Sequence, residues 1–239
     1  MSDINPSVPF MQSSLAYGLI GRYTLNSRWV GRVNLYKGIL AGDDKVAGYL
    51  PDRSLEFKSN IWELAGIMEF NFLPYFTGSK KNFWTPYLFG GAALLYHRPK
   101  VGNTDLRDKY TEGQNNTAFL NGESRPDYSY YTFSIPFGMG VKYSFSRRIA
   151  ASLEWGMRKT FTDYIDDIST TYYLPANLSP GDDNYVAQGW SDPNRDHDPL
   201  MQRGNAKTND WYSFFGLTLT YNINLTNRNK CSDFENRYE

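Results

Sequence analysis

The stretch Tyr131 to Phe145, YTFSIPFGMGVKYSF, alternates large and small side chains without a break. Its odd positions carry Tyr131, Phe133, Ile135, Phe137, Met139, Val141, Tyr143 and Phe145; its even positions carry Thr132, Ser134, Pro136, Gly138, Gly140, Lys142 and Ser144. A strand sends successive side chains to opposite faces, so one face here is apolar with aromatic tips and the other is polar and glycine-rich. A strand with lipid outside and a narrow polar lumen inside has this pattern.

Six further segments share it. Ser14–Leu25, Trp29–Gly42, Leu55–Tyr75, Arg148–Phe161 and Asp210–Ile223 each set an apolar row against a polar or small one. Phe83–His97 is apolar on both faces, and its orientation is not readable. Every segment reaches the roughly 9–11 tilted residues that a bilayer crossing by a strand requires. The connections alternate in length. Those at 26–28, 76–82 and 146–148 are short, whereas those at 43–54, 98–127 and 162–209 are long, charged and rich in Gly, Asn, Asp and Pro. Short periplasmic turns and long external loops are the habit of bacterial outer-membrane barrels. The predicted architecture is therefore an all-β, transmembrane, antiparallel up-and-down barrel over residues 1–225, followed by a periplasmic tail over 226–239. Single-chain bacterial barrels have even strand numbers, and only seven strands are visible. The simplest repair is an additional N-terminal strand, with Met1–Gln12 as the external loop after it; an extra strand within Phe83–His97 or the second long loop is the alternative.

Composition agrees with this class. Lys+Arg and Asp+Glu both number 25 in 239 residues, so no global field points to nucleic acid. Aromatics make up 17%, enough to populate two interfacial girdles. Mean hydropathy is −0.57, which does not exclude a membrane barrel, because only alternate residues meet lipid. No run of about 18 apolar residues provides a transmembrane helix. The start, MSDINPSVPF, shows no basic region followed by an apolar core. The single Cys231 rules out an internal disulfide framework.

Alternation places Arg22, Arg32, Lys142 and Arg158 inside, together with Glu63, Glu69 and Glu154. Opposite charges filling a narrow lumen need one another as partners, and that structural role is the expected one. Lys37 and Lys159 point outward, near strand ends where lysine snorkels to headgroups. No catalytic residue, cofactor site or metal site is expected: His97 and His197 lack partners at ligand spacing, and no nucleophile–base motif is present. The acids Asp163, Asp166, Asp167, Asp182 and Asp183 are expected to be solvated rather than to hold calcium. Thr111–Gln114 and Asp163–Tyr173 are expected to fold the external loops onto one another. At the opposite end Lys80, Lys81, Arg147, Arg148, Arg228 and Lys230 would form a basic rim for periplasmic partners.

Five stretches then carry a family resemblance: Asn71-Phe72-Leu73-Pro74-Tyr75, Thr85–Gly91, Thr111-Glu112-Gly113-Gln114, Ser134–Gly138 and the run Glu154–Tyr173, EWGMRKTFTDYIDDISTTYY. Together they resemble the PorG-like, DUF6089-type outer-membrane barrels of the Bacteroidota type IX secretion system. The resemblance implies an eight-stranded barrel in the cell outer membrane without catalytic activity. It also implies association with a periplasmic ring built from the lipoprotein PorK (GldK in gliding relatives) and its partner PorN (GldN). Three rivals remain from the residues alone: a binding protein whose external loops recognise a solute, glycan or surface partner; an outer-membrane enzyme; and a soluble lipocalin-like barrel with its apolar face inward.

Overall fold

The computed structural model describes residues 3–4, 12–48, 50–176 and 178–223. Seven long strands form one antiparallel sheet: β1 (Tyr17–Thr24), β2 (Trp29–Asp43), β3 (Glu56–Asn71), β4 (Trp84–Tyr96), β7 (Tyr131–Ser144), β8 (Ile149–Thr160) and β9 (Trp211–Tyr221). Each long strand pairs with the next, in the order β1-β2-β3-β4-β7-β8-β9, and the sheet curls into a half-barrel. Two short strands in the second long loop, β5 (Pro99–Val101) and β6 (Thr104–Asp105), make a hairpin on the end of β3. The second loop thus does contain strands, but they lie off the main path and do not change its parity.

The period-two pattern decides which face is which. Phe133 is 65% exposed and Met139 53%, while Ser134 and Lys142 on the other alternation are buried. Trp62, Leu64 and Met68 on β3 and Leu153 and Trp155 on β8 are exposed in the same way. The convex face is therefore apolar and the concave face holds the buried side chains, which excludes the lipocalin-like arrangement. Aromatic residues gather at both ends of the convex face. Trp29 and Phe70 meet at 5.0 Å and Phe83 and Tyr143 at 5.4 Å near the short turns; Tyr96 and Tyr131 meet at 5.1 Å near the long loops. The outward Lys37 and Lys159 lie over the rings of Trp62 and Trp211, at 5.0 and 5.4 Å. Among the described residues no helix is long and apolar enough to cross a membrane.

The orientation of β4 is now plain. Thr85, Tyr87, Phe89, Ala93 and Leu95 face inward and are buried, with Leu88 and Leu94 outward. Tyr87 and Phe89 fit because the neighbouring strands offer glycine. A Cβ on Gly140 would lie 2.7 Å from the Tyr87 ring, and one on Gly138 or Gly156 would lie 2.7 Å from Phe89.

Among the described residues β1 and β9 are not paired with each other. In a seven-strand meander both ends run the same way, here from the long loops toward the short turns. The seam between them is pinned at the short-turn half by Arg22, which donates to Thr220 Oγ1 at 2.8 Å and to Ser152 Oγ at 3.2 Å. Midway, Tyr36 of β2 stacks on Phe214 of β9 at 5.1 Å, passing close over Gly18 of β1. Beyond that the seam opens into a cavity of about 900 Å³ lined by Leu15, Gly38, Phe57, Ile61 and Trp211 among others. The loop expected over Met1–Gln12 falls mainly outside the described residues. Of its described members, Asp3 and Ile4 sit against the long loops, and Gln12 donates to the Asp43 carbonyl at 3.0 Å.

Candidate functional site

The inner charges form two groups. In the first, Glu69 is the hub: Arg32 Nη1 lies 2.8 Å from it, Arg22 Nε lies 3.3 Å away, and Lys142 donates to its second oxygen. Arg32 continues to Glu154 at 2.6 Å, and the Tyr87 hydroxyl donates to that same carboxylate at 2.9 Å. Lys142 also donates to Asn71 at 3.1 Å and sits 4.4 Å from the Tyr87 ring centroid. Three cations thus face two carboxylates, with aromatic faces taking part of the excess positive charge. In the second group, nearer the long loops, Arg158 Nε lies 3.4 Å from Glu63, which also accepts the Tyr212 hydroxyl at 2.5 Å. The inward set Arg22, Arg32, Glu63, Glu69, Lys142, Glu154 and Arg158 is therefore brought together. Parity sets Asn71 and Tyr212 on the inner face but gives them no part in the network, because amides and phenols carry no charge to mark them; Tyr87 lies on β4, whose orientation the sequence does not show. Chemically the arrangement neutralises and braces, with each ammonium, guanidinium and phenol named above directed at a carboxylate.

At the opposite end Lys80, Lys81, Arg147 and Arg148 are exposed. The turn after β3 packs on the turn after β7: Gly78, at φ +90°, donates to Ser144 Oγ at 2.8 Å and leaves no room for a Cβ against Arg147. Arg28, which donates to the Phe72 carbonyl at 2.8 Å, joins this rim and is an addition to the expected set. Arg228, Lys230 and Cys231 lie outside the described residues.

The long loops fold into a dome. Glu112 takes the backbone N–H of Ser169 at 2.8 Å and of Thr170 at 2.9 Å, the Thr170 hydroxyl at 2.5 Å and Arg203 at 3.1 Å. Thr111 donates to Asp167 at 2.5 Å, and Gly113, at φ +77°, lies flat on Tyr173. Thr111–Gln114 and Asp163–Tyr173 do interlock. Arg53 grips Asp44 through two nitrogens at 2.7 and 2.8 Å and donates to the Arg203 carbonyl at 2.6 Å, tying the first loop to the third. Beneath these contacts Ile4, Leu106, Ile165 and Ile168 share a core with Phe57, Ile61, Leu95 and Tyr212 of the sheet.

Two expectations for the loops are overturned. Asp163, Asp166 and Asp167 are buried rather than solvated, because the loop that carries them is the floor of the dome; Asp182 and Asp183 are exposed. Burial pushes the Asp163 carboxyl up to about 8, with Asp3, Asp166 and Glu112 adding repulsion. Burial likewise pushes Asp167 up to about 6 against the pull of Arg203, and raises Asp210 well above its ordinary value. His97 is pushed down to about 4 by burial. Second, His197 does have carboxylate company: its Nδ1 lies 3.0 Å from Asp192 and 2.9 Å from Asp196, and Tyr172 stacks on the ring at 4.4 Å. The turn that folds back from Asp192 to His197 makes this trio, and residue spacing alone concealed it.

A family model described as a domain of unknown function, DUF6089, matches residues 1–190. No curated protein and no solved structure matches the chain. A match over that share of the sequence, on a curled antiparallel half-barrel, places this chain in the DUF6089 family.

Proposed function

We propose that the chain is a non-enzymatic outer-membrane barrel that positions the periplasmic ring of the type IX secretion machinery, PorK/GldK with PorN/GldN. The observation that carries the membrane part is the convex face: large apolar side chains recur at alternate positions of successive strands, between two bands of aromatic residues. A soluble monomer rarely exposes a contiguous apolar patch beyond a few hundred Å², whereas hydrocarbon favours such a face. The interior supports an anchor better than a conduit, since ion pairs bridge it from β2 to β8 and from β3 to β7. In this reading the long loops are external and the short turns periplasmic. Lys80, Lys81, Arg147, Arg148 and Arg28 then present positive charge to the periplasm, where an acidic patch on a ring subunit is the complementary surface.

Affinity purification from native membranes in mild detergent, with mass spectrometry of what co-purifies, tests this. Ring-forming lipoprotein is expected with the wild type. Its recovery should fall as salt is raised, and it should be lost when Lys80, Lys81, Arg147 and Arg148 are all changed to Glu. Equal recovery by both proteins removes the basic rim from the reading, and no recovery by the wild type removes the partner. A second reading, recognition by the external loops, is favoured by one observation: the dome is cross-braced and contains a cavity.

A further inference from the structure

The dome cavity has a volume of about 330 Å³ and is walled by all three long loops. That is the lower end of the range for small-molecule sites, roughly 300–1,000 Å³. Its base is rigid and saturated: Arg203 there already serves Glu112, the Asp167 carbonyl and the Ser191 carbonyl. Its rim is not. The Glu56 carboxylate, the Lys45 ammonium and the Trp190 indole N–H all belong to the wall, and none has a hydrogen-bond partner among the described residues. Glu56 stands directly across from Asp43 in the β2–β3 register, so two wall carboxylates share one edge, an arrangement that destabilises a strand pair. The lining is also partly apolar, with Val101, Leu106, Ile168 and Trp190 among its residues.

We propose that this cavity binds one neutral pyranose ring, either a free sugar or the end unit of a glycan. Three properties of the wall select that chemistry. An aromatic and aliphatic lining suits the C–H face of a sugar, and a rim with both acceptor and donor suits its hydroxyls. An anionic ligand would meet Asp43, Glu56 and Asp166, while Arg203 is already neutralised by Glu112 and Asp167. A cationic ligand would meet Lys45 at the rim, and Lys109 already places its ammonium 5.8 Å from the Trp190 ring centroid. A purely apolar ligand would strip water from Glu56 and Lys45 with nothing in return. This inference does not rest on the secretion reading.

The test is saturation-transfer NMR on the full chain in a detergent without sugar headgroups. The probes are glucose, galactose, mannose and N-acetylglucosamine, with glucosamine and glucuronate as charged analogues and a soluble polysaccharide of each bound sugar to separate free rings from glycan ends. At least one neutral ring is expected to bind in the millimolar range, and its charged analogues should bind about tenfold more weakly. Glu56→Gln and Lys45→Met should each weaken binding about five- to tenfold, the loss of one charge-assisted hydrogen bond. Both side chains are exposed, so these variants keep the fold; Trp190→Ala, which also loosens the dome core, serves only as a further check with its melting temperature. The proposal is overturned if no neutral ring gives transfer, if glucosamine or glucuronate binds best, or if Glu56→Gln leaves binding unchanged.

Discussion

Glu69 holds more of the interior together than any other side chain described, because Arg22, Arg32 and Lys142 all converge on it. Replacing it by Gln leaves buried cations facing the single carboxylate Glu154, and a buried charge stripped of its partner costs about 3–5 kcal/mol. The Arg98–Asp105 pair is also short, at 2.5 Å, but Arg98 is 41% exposed, so Asp105→Asn should cost less than about 1 kcal/mol. Urea midpoints in detergent that fall equally for the two variants would contradict this ranking. The dome acids behave oppositely to Glu69. A carboxyl whose folded value lies above its ordinary one binds more protons folded than unfolded. Its contribution to stability is complete in acid and is lost as pH rises through the raised value. The dome should therefore loosen as Asp167 ionises near about 6 and again as Asp163 ionises near about 8. Hydrogen exchange at Ile165–Thr170, corrected for intrinsic rates, should accelerate across that interval, and Asp163→Asn should flatten the upper step. Identical corrected rates on both sides of the interval would remove the effect. Parity alone places Glu69 and Arg32 inside. The burial of Asp167 was hidden, because it depends on Arg203, Thr111 and Tyr128 reaching it from distant parts of the chain.

At the scale of elements, alternation locates β7 almost to the residue: Tyr131–Phe145 from the pattern against Tyr131–Ser144 in the fold. A period of two is a strong signal wherever one face meets an apolar surrounding and the other does not. It fails at β4, where Tyr87 and Phe89 are as large as the outward Leu88 and Leu94. What orients β4 is written on its neighbours, in Gly138, Gly140 and Gly156, and becomes legible only once pairing is known. Gly140→Ala should therefore destabilise by about 1–3 kcal/mol, as overpacking does, by pushing Tyr87 off Glu154. Shortening Tyr87 removes one of the two obstructions, the other being the Leu153 carbonyl at 2.5 Å, so Gly140→Ala combined with Tyr87→Leu should cost less than the two single changes added. Strict additivity in melting temperature would show that the two residues do not compete for space. The loops had no periodicity to read, and their order comes from contacts such as Glu112 to Thr170, 58 residues apart.

For the whole molecule the decisive feature is the seam. Among the described residues β1 and β9 run in the same direction without pairing to each other, and side chains link across the seam: Arg22 of β1 to Thr220, and Tyr36 of the neighbouring β2 to Phe214. In water an open edge is tolerable. In hydrocarbon each unsatisfied N–H or C=O costs several kcal/mol, and only closed barrels escape that penalty. An eight-residue β1 and an eleven-residue β9 carry such groups along their free sides. One further strand running toward the long-loop end would be antiparallel to both and restore even parity. We therefore expect one further apolar-alternating strand to occupy the seam in the membrane, alongside the wide cavity at its long-loop half. On protein taken from its native membrane, amide exchange along β1 and β9 should then be as slow as along the central strand β3. Fast exchange confined to β1 and β9, with β3 protected, would mean that the seam stays open. The bilayer would then have to thin or hydrate beside it, which contradicts the exposed apolar side chains that Leu15 and, on β1, Tyr17, Leu19 and Tyr23 present at alternate positions, with Gly21 between the last two.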